Sequence, residues 1–319
     1  MRIISAADIA EALTERDLVE ALRDGFRANI KLPLRHHHMI ERPAGQDSTL
    51  LLMPAWSDFA RGADPETGHI GIKMVTVFPD NAEKALPAVM GLYLLLSGAT
   101  GAPLAIIDGQ ALTVWRTACA SALAASYLAR EDAGRMLMVG AGALAPFLVR
   151  AHAAVRPIRE VAIWNRNPDK AHALARDLSR PDLKVTATED LEAAAREADV
   201  ISCATLSIEP LIRGEWLRPG THVDTVGAFR PDMRETDDEV IRRARVFVDT
   251  RDGAMKEGGD IVQPLHSGVL APDDIAGDLF DLCRKDRWGR VTAEEITYFK
   301  SVGTALEDLV AAELVYART

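Results

Sequence analysis

The chain has 319 residues, 48% of them apolar, and a formal net charge of −10. That length allows a large core and two domains, and the acidic balance argues against nucleic-acid or anionic-membrane partners. Three scattered cysteines, Cys119, Cys203 and Cys283, sit in no metal-binding or redox spacing, so reduced thiols in a cytoplasmic protein are expected.

The N-terminal stretch MRIISAADIAEALTERDLVEAL is charged and amphipathic, with no signal peptide, and residues 8–30 read as amphipathic helices. From about 32 to 107 the pattern becomes strands: STLLLMPAW, HIGIKMVTVFP, AVMGLYLLL and APLAIID. The most apolar run, AVMGLYLLLSGATGAPLAII, is broken by glycines and Pro103, which favours two strands around a turn over a membrane span. Residues 112–129 are alanine-rich and helical. At Met136 a second rhythm begins, in which MLMVG, EVAIWN, KVTAT, DVISCAT, THVDTVG and RVFVDT alternate with helical segments. This alternation predicts an α/β, doubly wound parallel sheet. The last helix, from Gly303, follows that unit and is expected to fold back onto the N-terminal domain.

After strand MLMVG comes a G-x-G-x-x-A pattern at Gly140, Ala141, Gly142, Ala143, Leu144 and Ala145. The pattern alone is not specific, but here it ends a strand, opens a helix and starts a βαβ unit. Glycines there permit a tight turn and bring backbone N–H groups to a pyrophosphate at a helix N-terminus. Pro146 falls in the first helical turn, where its missing N–H costs little. At the end of the second strand an NAD site usually has an acid for the ribose 2′-hydroxyl. This chain has Asn165, Arg166 and Asn167, with no carboxylate before Asp169. A guanidinium suits a 2′-phosphate, so NADP(H) is preferred over NAD(H), with NAD(H) possible and a solvated loop arginine as the plainer alternative.

Three cations stand in apolar company: Arg35 in LPLRHHH, Lys73 in HIGIKMVTVF and Arg116 in LTVWRTACA. A buried guanidinium without a partner is very costly, so something anionic should meet each. Either they pair with internal carboxylates or snorkel to the surface, or they converge on a carboxylate substrate. His36, His37 and His38 alternate faces on a strand and cannot share one metal. RKDRWGRVTAEE has Arg284 where a calcium loop needs its first ligand. No metal site is expected.

The runs LLLMPAW, GIKMVTVFP, GLYLLLSGATGAPLAIIDGQALTVWRTACASALAA, VGAGALA, ADVISCATLSIEPLIRGEWLRPGTHVDTVGA and ITYFKSVGTALEDLVAA resemble the ornithine cyclodeaminase/mu-crystallin family from about residue 33 onward. The resemblance implies a Rossmann domain, 119–301, inserted in a discontinuous α+β substrate-binding and dimerisation domain, 1–118 with 302–319. It also implies a homodimer that uses a nicotinamide cofactor on small amino or imino acids. The family's substrate-carboxylate ligands match Arg35, Lys73 and Arg116, the last of these also near the cofactor. Its cofactor contacts match Gly140 to Ala145, Asn165 to Asn167, Ala204, Thr205, Val226 and Ala228.

Cyclodeaminases of this family carry an aspartate where this chain has Phe229. A phenyl ring can neither accept nor donate a proton, and GAFRPDMRE is similar instead to the ketimine-reducing members. The expected activity is therefore NAD(P)H-dependent reduction of small cyclic ketimines, Δ1-pyrroline-2-carboxylate to L-proline or Δ1-piperideine-2-carboxylate to L-pipecolate, with Phe229 packing on the ring. Lys73, its pKa lowered by burial, is the candidate proton donor; a bound water is the other. An alanine-type dehydrogenase, an ornithine cyclodeaminase and a non-catalytic NADPH-dependent binder are the alternatives.

Overall fold

The structure, a computed structural model, describes residues 1–84 and 86–319, with backbone alone at 82 and 83. It divides into two compact units, Met1–Arg116 with Ala305–Thr319, and Thr117–Thr304.

In chain order the elements begin with β1 (Arg2–Ile4), α1 (Ala6–Ala12), α2 (Glu15–Arg27), β2 (Ile30–Lys31), β3 (His36–Ile40) and β4 (Ser48–Ser57). Next are β5 (His69–Val77), β6 (Val89–Ser97), β7 (Pro103–Asp108) and α3 (Gly109–Leu128), the helix in which the chain passes from the first unit to the second. Then follow β8 (Arg135–Val139), α4 (Ala145–Val155), β9 (Glu160–Trp164), α5 (Pro168–Leu178), β10 (Lys184–Ala187), α6 (Leu191–Glu197) and β11 (Val200–Cys203). The remainder is β12 (His222–Thr225), α7 (Asp238–Arg243), β13 (Ala244–Val248), α8 (Arg251–Glu257), α9 (Gly259–Ser267), β14 (Ile275–Asp278), α10 (Leu279–Arg284), β15 (Ile296–Lys300) and α11 (Ala305–Arg318).

The first unit is a seven-stranded sheet in which β4 to β7 form an antiparallel meander, with β2 and β3 beside β4 and β1 parallel to β7. Ser5 and Thr14 accept backbone N–H bonds at the starts of α1 and α2, which splits the N-terminal helical region in two. One face of the sheet is covered by α11, which also packs on α2. Gly25 makes that packing close, since a Cβ there would lie 2.4 Å from Val310. The helix-side row Met53, Lys73, Tyr93 and Ile107 is buried across four strands, in register. The opposite face is apolar and open, with Met74 38%, Leu92 40% and Met90 37% exposed.

The second unit is a parallel eight-stranded sheet in the order β10-β9-β8-β11-β12-β15-β13-β14, a Rossmann-type α/β arrangement. Parallel strands are buried on both faces and read as near-continuous apolar runs; MLMV, VISC and ITYFK are accordingly buried at every position. Chain order reverses between β8 and β11, which puts the switch point, and the crevice it creates, at their carboxyl ends. Among the described residues no helix is long and apolar enough to cross a membrane.

Candidate active site

In the first unit, Lys73 and Arg116 meet the same carboxylate. Lys73 Nζ lies 2.7 Å from Asp308 Oδ2, and Arg116 Nε donates to Asp308 Oδ1 at 3.0 Å. Arg116 Nη1 also donates to Glu307 Oε2 at 2.6 Å. Both acids are fully buried in the first turn of α11, and both cations are nearly so. Two positive and two negative groups thus share one buried site. Burial pulls the Lys73 ammonium down to about 8, against the opposing pull of Asp308 and with the help of nearby Arg116. Burial would raise the Asp308 carboxyl, but Lys73 and Arg116 hold it below the usual range.

Of the two sequence expectations for these cations, pairing with internal carboxylates is what the side chains show. It leaves room for the other, because an ammonium has three donors and Lys73 has Asp308 as its one ion-pair partner among the described residues. Gly71 belongs to the same surface; a Cβ there would lie 1.8 Å from the Tyr93 hydroxyl. That hydroxyl is buried without a hydrogen-bond partner among the described residues. Arg35 is half-buried and sits immediately before β3 rather than on it. His36 is opposite Leu52, so Arg35 is level with Met53, whose own partner on β5 is Lys73.

In the second unit the glycine loop follows β8. Gly140 has φ +109°, and a Cβ there would be 2.7 Å from the Ala204 carbonyl, so the turn demands glycine. Nothing lies within 4 Å of the Cβ position of Gly142, which leaves that backbone open to a ligand. The first turn of α4 carries no acidic side chain and so keeps its positive end for an anion. Ala143 is exposed and Leu144 precedes the helix, whereas Ala145 is fully buried and lets α4 pack close to the sheet. Asn165 Oδ1 accepts the Ala141 N–H at 3.1 Å and its Nδ2 donates to the Asn167 carbonyl at 2.9 Å. The asparagine therefore ties the glycine loop to the end of β9. Asn167 caps α5 through the Asp169 N–H, and Arg166 and Lys170 stand exposed beside it.

A crevice of about 470 Å³ runs along Gly140–Gly142, Trp164–Asn167, Lys170 and Ala204–Ser207, within the size range of small-ligand sites. The loop cradle, open helix end and basic rim fit a dinucleotide phosphate. Val226 and Ala228 are buried outside that lining, in the loop after β12, while Phe229 in the same loop is 47% exposed. Gly227 presses this loop onto the crevice wall, since a Cβ there would be 2.1 Å from the Thr205 carbonyl.

Sequence reasoning missed Glu307 and Asp308. The signal was present: in TALEDLVAA two adjacent acids are flanked on both sides by apolar residues, so no helical face of that turn is wholly polar.

The model of the ornithine cyclodeaminase/mu-crystallin family matches residues 2–319. The chain is 38% identical over 320 residues to the Δ1-pyrroline-2-carboxylate reductase of Colwellia psychrerythraea, covering 99% of this chain and 98% of that protein. Its fold matches the Thermococcus litoralis Δ1-pyrroline-2-carboxylate reductase in complex with NADH and L-proline, with a TM-score of 0.91 at 32% identity over 100% of this chain and 97% of that one. It also matches an archaeal alanine dehydrogenase dimer with bound NAD, with a TM-score of 0.90 at 29% identity over 100% and 95% of the two chains.

Proposed function

We propose that this chain, which belongs to the ornithine cyclodeaminase/mu-crystallin family, is a reductase of small cyclic ketimines that uses a reduced nicotinamide cofactor. Δ1-Pyrroline-2-carboxylate would give L-proline and Δ1-piperideine-2-carboxylate L-pipecolate. The observation that carries the reading is the buried Lys73–Asp308–Arg116 cluster. Replacing buried ion pairs by apolar groups is often neutral or stabilising, so such a cluster is a poor device for stability alone. It is well suited to gripping a small carboxylate. Asp308 and Glu307 fix the directions of the two cations, and Arg35, level with the same row, adds a third positive charge from the sheet edge.

The cofactor, when bound in the Gly140 crevice, supplies the hydride. The chain's residues supply orientation, which for a bound imine is a large part of the rate. Lys73, with a pKa of about 8, holds a proton at neutral pH and can give it to the imine nitrogen where the substrate binds neutral. Phe229 replaces the aspartate of cyclodeaminases with a ring that moves no proton, which supports reduction without loss of ammonia. The alanine dehydrogenase likeness favours a second reading, reversible oxidation of a small amino acid by the same groups.

Three finer assignments go with this one. NADP(H) is preferred, on the strength of Arg166 after β9, Lys170 in the first turn of α5, and the lack of an acid between Asn165 and Pro168. The chain acts as a homodimer through the open apolar face of its first sheet, where Met74 pairs with Leu92 and Thr76 with Met90. All three cysteines are buried and in no disulfide, which suits the reducing cytoplasm. The test of the reaction is isotopic: NADPH deuterated at both C4 positions and Δ1-pyrroline-2-carboxylate should yield proline with one deuterium on Cα. Proline unlabelled at Cα, or no proline, would refute it.

A further inference from the structure

The loop after β11 and the loop after β12 are joined by one buried side chain that no part of the reduction uses directly. Glu235 Oε1 accepts the Thr205 N–H at 2.6 Å and the Thr205 hydroxyl at 2.8 Å. Its Oε2 accepts the Gly227 N–H at 2.8 Å and the Ala228 N–H at 3.3 Å. Three of the four partners are backbone N–H groups that can only donate, and only the ionised carboxylate accepts all four bonds at once with no proton of its own to place. Gly227 has no Cβ because the two loops touch there. The backbone that carries this side chain is itself anchored: Asp260 Oδ1 accepts the Glu235 and Thr236 N–H groups at 2.9 and 3.0 Å, and Lys300 Nζ lies 3.5 Å from Asp260 Oδ2.

We propose that Glu235 is a positioning residue for the cofactor, a proton-sensitive staple that holds Thr205 on the wall of the dinucleotide crevice by tying it to the Gly227–Ala228 turn. This rests on the reading of that crevice as a nicotinamide-dinucleotide site. Geometry and charge agree on the sensitivity. Burial pushes the Glu235 carboxyl up to about 7; Lys300 opposes the rise and Asp260 adds to it. The other titratable groups facing it are the Cys203 thiol on β11 and the Tyr298 phenol on β15, both driven by burial well above their ordinary values and so neutral here. A proton on Oε2 displaces a backbone donor of the Gly227–Ala228 turn, and one on Oε1 forces the Thr205 hydroxyl to turn from donor to acceptor; either change breaks the four-donor arrangement, and the wall of the crevice loosens as pH falls through about 7.

The test uses NADH as the probe, because it lacks the 2′-phosphate whose own titration falls near pH 6. In the wild-type protein the Kd for NADH should rise about tenfold between pH 8 and pH 6, the size expected for losing a charge-assisted bond. In Glu235→Gln one amide half faces two donors at every pH, so binding should be weak throughout and its pH dependence flat, with the thermal melt as the folding control. If that variant does not fold, the wild-type protein still decides: hydrogen exchange at Thr205, Gly227 and Ala228, corrected for the intrinsic rate, should speed up together below pH 7. Equal affinity and an equal pH profile in wild type and variant, or exchange at those amides that does not change with pH, overturns the proposal. Failure of the wild-type protein to bind any dinucleotide at pH 8 overturns the cofactor reading instead.

Discussion

Replacing Asp308 by Asn keeps the shape of the side chain and removes the one charge that Lys73 and Arg116 share. With separations of 2.7 and 3.0 Å and an effective dielectric of about 20, each attraction is roughly 6 kcal/mol before desolvation. Relief of the buried carboxylate's own desolvation returns several kcal/mol, and Glu307 still engages Arg116. Breaking a buried pair in this way costs about 3–5 kcal/mol net, or roughly 10–20 °C in Tm for a unit of this size. The pH dependence of kcat/KM is the sharper assay. Lys73 is charged below about 8 and loses its proton as pH rises through that value, so wild-type activity should fall on the alkaline side near pH 8. Asp308 is the partner that raises the Lys73 pKa. Without it the alkaline limb should move about one to three pH units lower, with KM for the imine rising more than kcat falls. A D308N protein with an unchanged melt and an unmoved alkaline limb would mean that Asp308 neither holds nor tunes Lys73.

Other outcomes follow from the same geometry. Arg166→Ala should weaken NADPH binding by about tenfold to a hundredfold, the range of one or two charge-assisted bonds, while NADH affinity stays put; equal losses for both would remove the 2′-phosphate assignment. Leu92→Glu, on the open face of the first sheet, should shift the chain from dimer to monomer by light scattering, and an undisturbed dimer would place the interface elsewhere. On the proposal that Phe229 packs against the substrate ring, Phe229→Asp should lower ketimine turnover, and production of ammonia from ornithine by that variant would show the position to be the switch between the two chemistries.

Much of this was legible because it depends on local pattern. Gly140 and Gly142 announced a crevice through their place between a strand and a helix, and the structure gives the reasons as a positive φ at one and an open backbone at the other. Lys73 and Arg116 stood out as lone cations in apolar runs, and both are buried. What escaped was long-range. Strand β15, ITYFK, slots between β12 and β13, though it follows both by about fifty residues or more of chain; no local spacing marks a strand that pairs so far back. The loop before it fails as a calcium site, and local pattern gave it no other role. Instead Arg290 donates to the carbonyls of Leu128, Gly220 and Glu295, and Gly289 is glycine because a Cβ would lie 2.4 Å from the Tyr127 carbonyl. Glu307 and Asp308 escaped for a related reason. Their apolar flanks hinted at burial, but the cations that meet them, Lys73 and Arg116, come from elements far away in the chain.

The central claim is reduction of a preformed imine without deamination, and two parallel reactions test it most directly. One holds the protein with Δ1-pyrroline-2-carboxylate and NADPH and follows loss of the reduced nicotinamide; the other holds L-ornithine and NAD+ and is assayed for ammonia and proline. Rapid oxidation of NADPH in the first with a silent second is the predicted result. Ammonia and proline in the second would show that another group does the work of the missing aspartate, and would contradict the account built on Phe229.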